Sequence, residues 1–109
     1  MTTKMGLIFV QAQLAPWFEG CQWSFEDPDD GPPFLLFQKG DSRVEIAQLE
    51  DGRWKVWVGL QEWAVSKYTH LAHDFDGYVY EIGIASDPLR ATQRALGRAQ
   101  LPAKAWGFD

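Results

Sequence analysis

The chain has one cysteine, two histidines and no long apolar run, and each shortage excludes something. A single thiol, Cys21, cannot close an internal disulfide, so neither a disulfide scaffold nor a cysteine-rich metal cluster holds the domain together. The apolar runs Leu7 to Val10 and Phe34 to Phe37 fall far short of the roughly 20 residues a membrane-crossing helix needs. Lys4 followed by Met5 to Val10 imitates the start of a signal peptide, but Gln11 and Gln13 break the apolar stretch too early, and a reducing cytoplasm is the expected setting. Missing too are a phosphate-binding P-loop, a G-x-G-x-x-G turn and a G-x-S-x-G nucleophile elbow, which argues against nucleotide enzymes and serine hydrolases.

What is present is a 109-residue chain with 46% hydrophobic residues and 15% aromatic ones, including six tryptophans. This length and composition predict one domain spanning residues 1–109 with one core. Fifteen acidic against ten basic side chains give a net charge of -5. That charge is unevenly placed: residues 1–85 carry 6 basic and 13 acidic groups (6 − 13 = −7), whereas residues 86–109 carry 4 and 2 (4 − 2 = +2).

Asp51-Gly52 between Arg43 to Glu50 and Arg53 to Leu60 predicts a β-hairpin. With those two residues as the whole turn, Leu49 faces Trp54, Ala47 faces Val56 and Ile46 faces Trp57. Leu49, Ala47, Trp54, Val56 and Val58 are then the core side, and Val44, Ile46 and Trp57 lie on the other. Asp76-Gly77 repeats the turn signal before a strand at Tyr78 to Ala85. The stretch Trp63 to Phe75 fits a helix or a strand, with a strand favoured for its second half. Met5 to Leu14, Gln22 to Glu26 and Phe34 to Lys39 are expected as strands, Ala15-Pro16 as a break and Asp27 to Pro33 as a loop. Asp87 as N-cap and Pro88 at the first helical position open a helix over Leu89 to Gln100, with Leu89, Thr92, Leu96 and Ala99 inward. Trp106 and Phe108 are expected to fold back on the sheet. The fold class is α+β: a mostly antiparallel sheet built from hairpins with a C-terminal helix packed on one face.

Several groups of side chains are candidates for chemistry. His70, His73 and Asp74 have metal-ligand types at short spacing and would share one face of a helix, which makes them weak candidates for a metal-dependent enzyme. On a strand the histidines separate, His73 joining Tyr78 and Tyr80, and polar residues beside a turn are the plainer reading. Cys21 would need a distant base to act as a nucleophile. Glu26, Asp27, Asp29 and Asp30 form an acidic loop that lacks the EF-hand pattern yet attracts a basic partner. Arg90, Arg94 and Arg98 recur every four residues along the last helix, although a net charge of -5 works against direct nucleic-acid binding. Trp57 and Trp63 are divided between a second core layer and a binding surface.

Ser86 to Ala99, a polar turn before an Ala-rich helix, resembles the strand-then-helix end of HicB-type antitoxins and of double-stranded-RNA-binding domains. The acidic body, candidate exposed aromatics and absent catalytic motifs make the chain resemble, in size and character, small inhibitor proteins of phages and mobile elements, anti-CRISPR proteins among them. Immunity proteins that neutralise bacterial toxins are similar at this level. The resemblance implies a cytoplasmic, non-enzymatic inhibitor without a cofactor, whose partner is another protein, such as a nuclease or nucleic-acid-binding complex. Its acidic loop and aromatics would block a basic, nucleic-acid-handling surface. A metal-dependent enzyme, an immunity protein and a nucleic-acid-binding regulator are the alternatives.

Overall fold

A computed structural model describes residues 4–18, 20–40, 42–61, 72–73 and 78–99. Helix α1 (Lys4–Leu14) runs into a short 3-10 turn (Ala15–Trp17). Strands β1 (Gln22–Glu26), β2 (Phe34–Lys39), β3 (Ser42–Gln48) and β4 (Trp54–Gln61) follow, then β5 (Ala72–His73), β6 (Tyr78–Ala85) and helix α2 (Pro88–Ala99). The strands form one antiparallel sheet in the order β1-β2-β3-β4-β6-β5. The fold is α+β, with α2 packed on one face of the sheet through β6 and β4.

The expected strand at Met5 to Leu14 is a helix. A short apolar run does not by itself distinguish strand from helix, and the deciding signal is which positions are buried. Leu7, Val10, Leu14 and Phe18 are all buried, at the three- and four-residue steps of a helical face. Together they join Leu35, Phe37, Val44, Ile46, Val56 and Val58 in the core. Phe18 lies against Phe37 with ring centroids 5.0 Å apart, fixing the end of α1 over β2.

The hairpin forms where Asp51-Gly52 placed it, but with a different register. Leu49 accepts from the Gly52 amide at 3.0 Å and donates to the Arg53 carbonyl at 2.7 Å, so the loop has three residues, Glu50, Asp51 and Gly52. Gly52 sits at φ 89°, which makes this a turn closed by a glycine bulge. Asp51 clamps the bulge by accepting from the Arg53 amide at 3.0 Å and from its guanidinium at 2.8 Å. The added residue shifts the pairing by one: Gln48 faces Trp54, Ile46 faces Val56 and Val44 faces Val58. A one-residue slip turns a strand's side chains over. Val44 and Ile46 are therefore fully buried and Ala47 lies on the opposite face, the reverse of the two-residue-turn expectation.

Helix α2 begins as its sequence predicts. The Asp87 carboxylate accepts from the Arg90 amide at 2.9 Å, and Pro88 occupies the first helical position. Its deepest residues are Ala91, Thr92 and Ala95, with Leu89 and Leu96 half-buried beside them. The helix turns its small residues inward because Gly83 lies directly beneath, where a Cβ would meet the Ala91 carbonyl and, at 2.5 Å, the Ala95 amide nitrogen. Thr92 satisfies its buried hydroxyl by donating to the Pro88 carbonyl at 2.8 Å.

Candidate functional site

Both helices lie on one side of the sheet, so candidate sites divide among the open face, the sheet edge and the loops. On the open face, opposite residues share a side: Leu36 with Glu45, Glu45 with Trp57, and Trp57 with Ile82. Trp57 is half-buried, its indole lying along its own strand over Gly59, where a Cβ would collide with it. The indole stacks on Tyr80 at 5.6 Å with planes 25° apart. Arg43 and Glu45 form an ion pair at 2.9 Å beside it. Trp57 thus stands opposite the core, as the sequence suggested, and is stacked on Tyr80. Trp54 is half-buried against the core on the other side.

The acidic loop joins β1 to β2. Asp27, Asp29 and Asp30 are exposed, and among the described residues none of the three has a hydrogen-bond or ion-pair partner. Glu26 differs: it is half-buried at the end of β1, and its carboxylate accepts from the Ser24 hydroxyl at 2.8 Å. Three exposed carboxylates within four residues create a local negative field, which no cation among the described residues pairs with.

Strand β1 carries this loop along an edge of the sheet, with no described strand pairing to its outer side. Trp23 lies opposite Phe37, the ring on which Phe18 packs, and still keeps 46% of its surface exposed. Trp17, next to Phe18, is 41% exposed. Two part-exposed tryptophans thus stand near the acidic loop in the chain, Trp17 at the end of the 3-10 turn and Trp23 on the strand that leads into the loop. The sequence reading picked Trp57 and Trp63 instead. The signal for Trp23 was its place in a short, strongly polar strand beside a loop, which is how an edge strand reads.

The arginine stripe is partly committed to the fold. Arg90 pairs with Asp87 at 3.7 Å, and Arg94 donates to the Ile84 carbonyl at 2.6 Å, tying α2 to the end of β6. The side chain of Arg98 is not among those described, and Trp63, His70, Asp74, Asp76-Gly77, Trp106 and Phe108 lie outside the described residues. The β5–β6 register pairs His73 with Val79 and Ala72 with Tyr80, so His73 does not share the face of Tyr78 and Tyr80 as expected. Among the described residues, no three His, Cys, Asp or Glu side chains come together as a metal site would require. Burial pushes the Cys21 thiol up, and the nearby Lys39 ammonium offsets part of that rise. A raised thiol is a poorer source of the thiolate that a nucleophile needs. No described helix is long and apolar enough to cross a membrane.

Comparison with protein-family models, with curated proteins and with solved structures finds no match for this chain.

Proposed function

We propose that the protein is a non-enzymatic inhibitor that binds another protein and covers a basic, nucleic-acid-handling surface, in the manner of the anti-CRISPR type of small inhibitor. The observation that carries this reading is the combination of Asp27, Asp29 and Asp30, exposed and without partners among the described residues, with Trp23 on the adjoining edge strand. Interfaces commonly combine an aromatic anchor, which supplies affinity, with surrounding charge, which sets approach and orientation. Carboxylates seated on a partner's basic groove compete with phosphates for the same arginines and lysines, so a nuclease or nucleic-acid-binding complex is the fitting target class. Trp57, Arg90 and Arg94 are assigned to the fold, because each is engaged in a packing, ion-pair or hydrogen-bond contact.

The test is affinity capture with the wild-type chain and with Asp27→Asn/Asp29→Asn/Asp30→Asn and Trp23→Ala variants, followed by an activity assay on the captured protein. The expected target has a basic surface, loses nucleic-acid binding or cleavage when the wild-type chain is added, and escapes the triple variant, with association slowing as salt rises. A triple variant that binds and inhibits as well as the wild type would remove the acidic loop from the mechanism.

A further inference from the structure

The start of β1 and the end of β2 enclose an open cavity of about 440 Å³, lined by Gly20, Gln22, Gln38, Lys39 and Gly40. Its walls follow from the strand register. Gln22 and Gln38 stand opposite each other, so their side chains leave the same face of the sheet and the two amides can converge on one group. Lys39, the next residue of β2, supplies an ammonium. Gly20, at φ 81°, makes room for it, since a Cβ there would sit 3.4 Å from the Lys39 Nζ. Gly40 has nothing within 4 Å of an added Cβ, which leaves that wall bare.

The cation is uncommitted. Lys39 is half-buried, and neither it nor Gln22 nor Gln38 has a hydrogen-bond or ion-pair partner among the described residues. Cys21 lies close to the ammonium, but burial pushes its thiol up, so it stays neutral and offers no counter-charge. Arg43, opposite Gln38 on β3, is already held by Glu45 at 2.9 Å. A half-buried ammonium without an acceptor, beside two amides that can donate to the same point, is a site short of an anion.

We propose that this cavity binds a singly charged oxyanion group, a phosphodiester or a carboxylate, with one oxygen on the Lys39 ammonium and the oxyanion also accepting from the Gln22 and Gln38 amides. The charge count selects the ligand class. One cation among neutral walls balances one negative charge, whereas a dianion such as sulfate would keep a charge uncompensated. An apolar ligand has nothing to rest on, because the five lining residues include no aromatic or aliphatic side chain. In the sequence, Glu19 precedes Gly20 and Asp41 follows Gly40, and with like charges so near in the chain the dissociation constant is expected to be on the order of 1 mM. Gln22 is at the end of β1 away from the acidic loop, so the site stands or falls independently of the proposed inhibitory role.

NMR titration of the isotopically labelled full chain tests this at neutral pH, under reducing conditions and at fixed ionic strength. The probes are sodium acetate and sodium dimethyl phosphate, with acetamide as the uncharged control. The side-chain amides of Gln22 and Gln38 and the backbone amides of Gly20 and Gly40 are expected to shift saturably with an anion and not with acetamide. Lys39→Met is expected to weaken binding about tenfold or more, and Lys39→Arg to retain it. Gln22→Leu/Gln38→Leu is expected to weaken it severalfold, with unchanged circular dichroism because both positions are exposed. Saturation by dimethyl phosphate alone assigns the site to a phosphodiester backbone, by acetate alone to a carboxylate, and by both to the shared oxyanion chemistry; each supports the proposal. No saturable shift with either anion up to about 50 mM overturns it, as does a Lys39→Met variant that binds like the wild type. Sulfate binding more tightly than both probes overturns the assignment to a single charge.

Discussion

Replacing Gly83 with alanine adds one methyl group where α2 comes closest to the sheet. The new Cβ would collide with the Ala91 carbonyl, lie 2.5 Å from the Ala95 amide nitrogen and 3.0 Å from the Arg94 Cβ. Favourable carbon contacts need roughly 3.5 Å or more. Two of the three opposing groups are helix backbone, which cannot rotate away as a side chain does. The helix must therefore retreat by on the order of 1 Å, loosening the burial of Ala91, Thr92 and Ala95 together. Overpacking in a core costs about 1–3 kcal/mol, and a rigid obstacle places this substitution near or above the upper end. Alanine's advantage over glycine in a strand recovers only about 0.5–1 kcal/mol, so the net sign is destabilising. Gly97, exposed on α2 with nothing within 4 Å of its added Cβ, is the matched control, where alanine is expected to stabilise by about 0.5–1 kcal/mol. Urea unfolding of the two variants measures both at once. A Gly83→Ala protein as stable as the wild type, beside a stabilised Gly97→Ala protein, would show that α2 does not rest on Gly83.

Removing the cap with Asp87→Ala is expected to cost about 1 kcal/mol in the same unfolding assay, because the Arg90 amide loses its 2.9 Å acceptor. Asp51 is held below the usual carboxylate range, first by the Arg53 amide and then by its guanidinium. Its stabilising effect is thus complete above the ordinary carboxylate pKa and is lost as pH falls through the lower folded value. Wild-type and Asp51→Ala midpoints followed from neutral to acid pH are expected to converge at the acid end, and a constant gap would contradict this. Gly59→Ala displaces the Trp57 indole from its bed and from Tyr80, and is expected to shift tryptophan emission while costing less than Gly83→Ala, since a side chain can yield.

Local chemistry was legible in the sequence wherever a few neighbouring residues decide it. Asp87 and Pro88 announced the start of α2, Asp51-Gly52 announced a hairpin, and the proline- and aspartate-rich stretch after Glu26 announced a loop. Distant packing was not legible. Nothing near Gly52 states whether the loop holds two residues or three, yet that count decides whether Ile46 or Ala47 enters the core. Likewise, the inward face of α2 depends on Gly83, a strand residue whose missing side chain admits Ala91 and Ala95. Of the candidate site, the exposed aspartates were visible as a cluster, whereas the exposure of Trp23 follows from β1 being an edge, which is a fact of strand order.

That strand order also sets a sequence of events in time. The first four strands form a simple meander whose neighbours are joined by short turns, so their contacts close at small entropic cost. The neighbour of β4 is β6, which is supplied only after the whole segment between Gln61 and Tyr78 has been synthesised. Until then β4, with Trp54, Val56, Trp57 and Val58 in one short span, is a bare edge on a growing chain. Lys55 is the one charge in that strand, and a charged residue is what disfavours strand addition at a bare edge. A chain cut short after Gln61 is accordingly expected to self-associate, as light scattering would show, and substitution of Lys55 by an apolar residue to worsen it.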